Sequence, residues 1–305
     1  DAVFGLLNAQ RKAVSSLKEL TKAVAKEKIT EGLSPKSVAK INRSCSWFLD
    51  NLIQDDIDIE KIDYDQVHSF LLADMDNGVA GSTLNGHLFG LRQVWKRAKQ
   101  SKLVSGDSPF DGHSIPKNSK PYDPYTYDEV YALHNNAQGE LKALIHAGAT
   151  TGARMDELLT AEVKTPSTYN SPCWLFKFKD KGKTEQSTRV VPMHNSLDLP
   201  EGFQFSINKK TATTQFKKIR DEVLGEKLNE LTGAPRKLSF HSFRTTVITE
   251  LVVKNHINEK VVGGGTGHLG GDTSKVGSIR TYINADDLED KRNIVDLLPW
   301  DAESD

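Results

Sequence analysis

The chain of 305 residues contains very little cysteine, with Cys45 and Cys173 as its only two thiols. They lie far apart, and neither is flanked by the close cysteine or histidine spacing that marks a zinc site. A disulfide framework and a cysteine-based metal site are therefore excluded as the basis of the fold. The pattern favours reduced, buried thiols in a cytosolic protein.

The sequence also lacks a long hydrophobic run. No segment reaches the roughly 20 apolar residues of a membrane-spanning helix, so neither such a helix nor a membrane partner is predicted. A secretory signal is not recognisable either. Because the chain starts at Asp1 and not at methionine, upstream residues, including a removed leader, stay an open alternative.

An excess of charge of one sign is missing as well, since 40 basic residues face 41 acidic ones and the net charge is −1. A protein that coats DNA is usually strongly basic, so this class is disfavoured. A DNA-binding enzyme remains compatible, because one face can be basic while the rest of the surface is acidic. The basic residues do cluster, in segments 92–102, 177–183 and 209–218. A solvated mosaic of charges would give a similar pattern, and that alternative stays open.

The length is sufficient for two domains with cores of their own. Residues 1–105 carry apolar residues at helical spacing and predict a compact, all-helical domain. Four helices are predicted in this domain. The first ends near Lys28, the second begins at Ser34-Pro35, the third covers Tyr64 to about Met75, and the fourth begins at Ser82 or Thr83. The last helix has a basic face opposite its apolar stripe, made of Arg92, Lys96, Arg97 and Lys99.

Residues 106–124 are rich in proline and glycine and predict a linker, followed by a second domain at 125–305. Thr126 to Glu129 has the spacing of a capping box that opens a helix. Further helices are predicted at 139–150, after Arg154, at 211–224 and at 240–253. Two strands are predicted at 174–179 and 189–193, with Lys181-Gly182-Lys183 in the turn between them. The predicted fold class is therefore mainly α with a small β-sheet.

Four short segments of the second half hold residues suited to one kind of chemistry. They are Thr151–Leu158, with the sequence T-G-A-R-M-D-E-L, then His241-Ser242-Phe243-Arg244, then Gly267-His268, and finally Tyr282. Arginine binds phosphate oxygens through a planar fork of donors. Histidine and lysine transfer protons, and tyrosine can form a covalent bond to the substrate. Phosphodiester transfer through a tyrosine nucleophile requires these residue types together.

In this order, the four segments resemble those of the tyrosine recombinases, the integrases of phages and mobile elements. The resemblance implies an all-helical core-binding domain followed by an α+β catalytic domain. It implies a site-specific DNA recombinase that cuts and rejoins strands through a 3′-phosphotyrosyl intermediate, with no metal and no cofactor. The implied partners are double-stranded DNA, further copies of the chain in a tetramer on DNA, and accessory proteins that bend DNA or set directionality. The implied location is the cytoplasm, with the chain bacterial or phage-encoded and associated with the nucleoid.

The resemblance also assigns roles to the residues of the first two segments. Arg154 and Arg244 would bind the non-bridging oxygens of the scissile phosphate and stabilise the charge of a five-coordinate transition state. Glu157, one helical turn after Arg154, would support that arginine. His241 would position the phosphate and handle the proton of the nucleophile.

The last two segments would supply the nucleophile and a further donor. Tyr282 is the only tyrosine after Tyr169, so a C-terminal nucleophile has one candidate. His268 would donate a hydrogen bond to a phosphate oxygen. The gap between His268 and Tyr282 is longer than the family pattern, and the small residues at 270–277 predict a loop insertion there.

Two lysines compete for the role of the general acid that protonates the departing 5′ oxygen. Lys183 begins K-T-E-Q-S-T-R-V-V-P, which resembles the family segment K-T-x-x-S-x-R-x-V-P. Lys181 lies in the same predicted turn and could reach instead. Lys183 is preferred, and Lys181 then joins the basic face of the first domain as a predicted DNA contact.

Other functions stay open at this stage. A type IB topoisomerase or a chromosome-end resolvase would share the same chemistry, and an inactive DNA-binding regulator would share the fold. A histidine-based metal hydrolase is disfavoured, because no H-x-x-x-H pair occurs among the nine histidines.

The C-terminal tail carries a short apolar patch that is too small for a core of its own. Its members are Ile294, Leu297, Leu298 and Trp300. The patch must pack either on its own catalytic domain or on a neighbouring protomer. By the resemblance, packing on the neighbour is the favoured expectation.

Overall fold

The computed structural model of the chain describes residues 15–116, 120–167, 169, 171–176, 189–259, 261–262 and 288–300. The chain divides into two compact units, the first comprising residues up to Lys120 and the second starting at Pro121. Across the described ranges, no helix is both long and apolar enough to cross a membrane.

The described part of the first unit is helical. Its helices are α1 (Leu17–Thr30), α2 (Pro35–Leu52), α3 (Tyr64–Asp76) and α4 (Gly81–Gln100), with a 3₁₀ turn at Ile59–Lys61. Side-chain caps explain the starts of the first three, because Ser16, Ser34 and Asp63 each accept a hydrogen bond from a backbone N–H three residues later. The helical pattern predicted from the sequence is therefore present.

The start of α4 differs from the prediction of Ser82 or Thr83, which was wrong. The helix begins at Gly81, and its N-cap Ala80 gives no side-chain hydrogen bond. Gly81 is required at this place because a Cβ there would collide with the backbone carbonyl of Pro116. A glycine that sequence rules treat as a helix breaker thus permits a close backbone approach at the first turn.

The second unit surrounds a small sheet with helices. The described helices are α5 (Tyr127–Asn135), α6 (Gly139–Thr151), α7 (Met155–Leu158), α8 (Lys209–Leu224), α9 (Ser242–Ile248) and α10 (Leu288–Val295). The capping box predicted at Thr126 and Glu129 is present. The segment predicted to be helical over 240–253 is helical in two parts, α9, which ends at Ile248, and a π-helix that follows at Thr249–Lys254.

The described strands form an antiparallel sheet in the order β1 (Glu162–Lys164), β2 (Cys173–Phe176) and β3 (Arg189–Pro192). Trp174 lies opposite Val163 on one side and Val191 on the other, and all three side chains are buried. The pairing of β2 with β3 confirms the predicted partners. Strand β1 was not predicted, because three residues are too few to show an alternating pattern. The predicted fold class, mainly α with a small β-sheet, is confirmed.

The C-terminal tail, residues 288–300, packs on the second unit of its own chain. The indole of Trp300 is 5% exposed and stacks on the imidazole of His146 on α6, with ring centroids 3.9 Å apart. His134 meets the same indole edge-on at 4.9 Å, and Tyr131 donates a hydrogen bond to the Pro299 carbonyl. The expectation that the tail packs on a neighbouring protomer was wrong for this structure. A seat lined with aromatic rings exists on the chain's own helices, and the sequence pattern of the tail did not reveal it.

Burial keeps this seat uncharged. It lowers the pKa of His146 to about 3, and the neighbouring His134 and His194 act in the same direction. The Nε2 atom of His146 lies 2.8 Å from the Ser196 hydroxyl, so its polar edge has a partner. A neutral imidazole on the Trp300 ring contributes stacking energy on the order of 1 kcal/mol without the cost of a buried charge.

Candidate active site

Arg154 stands at a sharp turn between α6 and α7. Gly152 ends α6 with a φ of 61°, a left-handed conformation that glycine adopts without strain. The backbone N–H and the Nη1 of Arg154 each donate to the carboxylate of Glu157, both over 2.9 Å. The Glu157 side chain is only 6% exposed while that of Arg154 is 47% exposed. A buried carboxylate therefore holds an arginine whose guanidinium still reaches the surface.

Arg244 comes from a distant part of the sequence and meets the same turn. It lies on α9, is 2% exposed, and donates from Nη1 to the carbonyl of Gly152 over 3.2 Å, 92 residues earlier. The arginine predicted in T-G-A-R and the arginine predicted in H-x-x-R are thus tied to one backbone turn. A charge buried this deeply is costly unless donors and acceptors around it are satisfied, so its position is specified by the fold.

Aromatic packing sets the position of α9 against α6. Phe243 is fully buried, and its ring packs edge-on against Phe240 and Phe216, with centroids 5.1 and 5.6 Å apart. Gly148 on α6 allows this approach, since a Cβ there would lie 2.8 Å from the Phe240 ring. The close approach of the two helices is what brings Arg244 to Gly152.

His241 occupies the N-cap position of α9, three residues before Arg244. Its backbone N–H donates to the Ser239 hydroxyl over 3.1 Å, and its side chain is partly exposed. The imidazole packs against the ring of Tyr122, with centroids 5.1 Å apart and planes tilted by 59°. Spacing of three residues places His241 and Arg244 on one side of the first helical turn, as the sequence predicts.

The remaining predicted catalytic residues lie outside the described residues. They are Lys181, Lys183, His268 and Tyr282. The choice between Lys183 and Lys181 and the roles of His268 and Tyr282 stay predictions.

Four basic residues were predicted on the last helix of the first unit, α4, namely Arg92, Lys96, Arg97 and Lys99, and three of them have partners within that unit. The Nε of Arg92 lies 2.6 Å from the Asp111 carboxylate, and the Nε of Arg97 lies 2.7 Å from the Glu27 carboxylate. Lys99 donates to the backbone carbonyl of Gly106 over 2.7 Å, while Lys96 is exposed. Exposed ion pairs contribute about 1 kcal/mol or less, so their arginines can exchange partners. A role of this face in DNA contact stays a prediction.

Residues that no sequence motif identifies also lie beside His241. Lys237 extends its ammonium over the ring of Tyr122, 4.4 Å from the centroid, so that Lys237, Tyr122 and His241 form one cluster. No motif spacing joins Tyr122 to a residue more than a hundred positions later. Within the described part of the chain, no group of three or more histidine, cysteine, aspartate or glutamate side chains could hold a metal ion.

The sequence matches no protein-family model and no curated protein. Solved structures are similar in fold. A lambda integrase tetramer bound to a Holliday junction superposes with a TM-score of 0.65 at 13% identity, covering 87% of this chain and 80% of the integrase. A lambda integrase dimer bound to a core site gives 0.63 at 14% identity, covering 83% and 95% of the two chains.

A second integrase shows the same likeness. The Tn1549 transposon integrase in complex with transposon right end DNA has a TM-score of 0.55 at 15% identity, covering 82% of this chain and 91% of that one. At such identities the likeness concerns the path of the backbone and not the side chains. The chain therefore has the fold that lambda integrase and the Tn1549 integrase share, which is the fold expected from its resemblance to the tyrosine recombinases.

Proposed function

We propose that the chain is a site-specific DNA recombinase that cuts and rejoins DNA strands through a 3′-phosphotyrosyl intermediate. The convergence of Arg154 and Arg244 on the turn at Gly152 carries this proposal. The solved integrases of the same fold are bound to DNA, which supports double-stranded DNA as the partner of this chain.

The two arginines would stabilise the charge that gathers on the phosphate. Arg154 keeps part of its guanidinium at the surface because the buried Glu157 carboxylate engages Nη1 from one side. An arginine has five N–H donors, so donors remain for a non-bridging oxygen. Donors that are fixed before the reaction stabilise the transition state without a reorganisation cost.

The proposed reaction balances without a cofactor. The phenolic oxygen of Tyr282 attacks the phosphorus and its proton passes to a histidine, for which His241 is the candidate. The bond from phosphorus to the 5′ oxygen breaks, and Lys183, or Lys181 in its place, protonates that oxygen. His268 donates to a phosphate oxygen. The 5′ hydroxyl of the partner strand then reverses the step and releases Tyr282.

The same proposal covers the assembly and its surroundings. Strand exchange needs two duplexes cut in a coordinated way, so four protomers would meet on DNA, and the lambda integrase tetramer on a Holliday junction supports this. The basic face of α4 and Lys181 would contact the DNA backbone. No metal would be required, because arginine and lysine supply the positive charge that Mg²⁺ supplies elsewhere. Accessory DNA-bending or directionality proteins and a cytoplasmic location complete the proposal.

A nicked suicide substrate tests the proposal directly, because loss of a short 5′ fragment traps the covalent intermediate. We expect a protein–DNA adduct on denaturing gels in the presence of EDTA, and none with Tyr282→Phe, which keeps the ring and removes the attacking oxygen. An adduct formed by the Phe variant would show that Tyr282 is the wrong residue. Relaxation of supercoiled DNA without exchange between two duplexes would indicate a topoisomerase. DNA binding with no adduct would indicate the inactive regulator.

A further inference from the structure

A short segment without regular secondary structure, residues 122–125, is hydrogen-bonded to the stretch of chain that leads into α9, and we name it the strap. Its residue Asp123 makes two hydrogen bonds with Lys237. The backbone N–H of Asp123 donates to the Lys237 carbonyl over 3.1 Å, and the Lys237 N–H donates to the Asp123 carboxylate over 2.7 Å. The strap is therefore fixed four residues before His241.

The rest of the strap is bonded on both sides of that point. The Pro124 carbonyl accepts a hydrogen bond from Arg236, whose guanidinium forms a largely buried ion pair with Glu129 at 2.7 Å. The backbone N–H of Tyr125 donates to the Thr246 hydroxyl over 2.8 Å, and its phenol donates to the Ser239 carbonyl over 3.1 Å. These contacts lie on both sides of His241 and Arg244, between Arg236 and Thr246.

The hydrogen bonds of the strap place the Tyr122 ring against His241. The ring lies 5.1 Å from the imidazole and carries the Lys237 ammonium on its face at 4.4 Å. A cation over an aromatic face is worth about 0.5–1 kcal/mol at an exposed site, and ring packing removes rotamers from the partly exposed imidazole. Packing on the Tyr122 ring thus restricts the rotamers of both His241 and Lys237.

We propose that Tyr122 is a positioning residue that holds the imidazole of His241 at the scissile phosphate, while the same ring carries the Lys237 ammonium over its face. This inference rests on the proposed function for the reaction it serves, whereas the ring contact itself exists without DNA. A misplacement of about 1 Å at a catalytic group can lower a rate by roughly 100-fold, so a contact of this kind matters even though its own energy is small.

Three variants of the full chain test the inference. Tyr122→Leu removes the ring, Tyr122→Phe keeps it, and Tyr64→Leu is the matched control, because Tyr64 in the first unit also stacks on a histidine, His113, at 4.3 Å. Single-turnover cleavage of suicide DNA at saturating protein should slow about 10- to 100-fold with Tyr122→Leu and recover with Tyr122→Phe. The dissociation constant for DNA should change by less than about twofold in both. Tyr64→Leu should leave the rate of bound DNA unchanged.

A measurement without DNA separates this inference from the proposed function. The NMR signal of the His241 ring, assigned by its loss in His241→Gln, should move in Tyr122→Leu and stay in Tyr122→Phe, because the neighbouring aromatic ring shifts it. An unmoved signal, or a Tyr122→Leu protein that cleaves at the wild-type rate, would overturn the positioning role while leaving the recombinase proposal intact. Absence of any adduct from the wild-type protein would overturn the proposed function and the role in cleavage together, even if the signal moved.

Discussion

Two arginine–carboxylate pairs, one in each unit, differ in the burial of the carboxylate. Arg97 and Glu27 of the first unit are both open to solvent, with side chains 36% and 43% exposed. In the second unit Arg154 is 47% exposed, but its partner Glu157 is 6% exposed. The exposed pair is weak and can exchange its carboxylate for another anion. In the second pair, the buried Glu157 carboxylate holds the Arg154 guanidinium in place. An arginine–carboxylate ion pair therefore gives an exchangeable cation in the first unit and a preorganised cation in the second.

The comparison predicts the largest effect for the shape of the fixed cation. Arg154→Lys keeps the charge but loses the planar fork, so cleavage of suicide DNA at saturating protein should fall about 10²- to 10³-fold with little change in DNA affinity. Arg97→Lys, the same change in the exposed pair, also keeps the charge and should leave the cleavage rate of bound DNA unchanged. Equal rate losses from the two variants would break the comparison, because Arg97 would then be as preorganised as Arg154.

The second prediction concerns the buried partner. Glu157→Gln keeps the acceptor for the backbone N–H of Arg154 but removes the charge that holds the guanidinium. Cleavage should slow on the order of tenfold through a less well placed Arg154. The free energy of unfolding of the full chain, measured in urea, should fall by about 1–3 kcal/mol.

Glu27→Gln is the matched change in the exposed pair. It should lower the free energy of unfolding by about 1 kcal/mol or less and leave the cleavage rate of bound DNA unchanged. If Glu157→Gln were as mild as Glu27→Gln in both measurements, burial of the carboxylate would not be what distinguishes the two pairs.

Local sequence signals were sufficient for most of the fold. Ser34-Pro35 and the Thr126–Glu129 box predicted helix starts that the structure confirms, because capping is decided within four residues. The start of α4 was wrong because it depends on Pro116, which is distant in sequence. The same reason applies to the tail, since Trp300 packs on His146 through a contact that no periodicity encodes.

The candidate site was predictable to a different degree. The segments around Arg154 and His241 were recognisable from spacing, and the contact of Glu157 with Arg154 follows from one helical turn. The bond from Arg244 to Gly152 and the packing of Tyr122 on His241 join residues about a hundred positions apart. Such contacts are set by tertiary packing, which local propensity does not contain.

Acid gives a third way to sharpen the contrast between the units, because the second unit buries His146 in a neutral state. The pKa of His146 is about 3 in the fold, against about 6.5 in the unfolded chain. Between these pH values the unfolded chain binds more protons than the folded chain. The contribution of neutral His146 to the free energy of unfolding is therefore complete above pH 6.5 and is lost as the pH falls toward 3. The groups that face His146 are His134 and His194, which disfavour its protonation, and the hydroxyl of Ser196.

The expected loss is at most about 1.4 kcal/mol per pH unit below 6.5. Thermal unfolding of the full chain between pH 7 and pH 4.5 measures it, with the signal of Trp300 as a local probe. His146→Phe keeps a ring against Trp300 but cannot take up a proton, so its unfolding should depend less steeply on pH. An identical pH dependence in the two proteins would remove His146 as the cause.

The smallest expected effect concerns the exchangeable cations of α4. If Arg97 leaves Glu27 for a DNA phosphate, binding releases a counterion, and Arg97→Ala should weaken binding of all DNA sequences alike. The slope of log affinity against log salt should become shallower by about 1. Arg43→Ala is the matched control, because Arg43 is an exposed arginine of the same unit whose Nε donates to the Ala39 carbonyl of its own helix over 3.3 Å. This control should keep the wild-type slope. Equal slopes for wild type and Arg97→Ala would mean that the Glu27 pair stays closed on DNA, and the distinction between an exchangeable and a fixed arginine would then fail for the first unit.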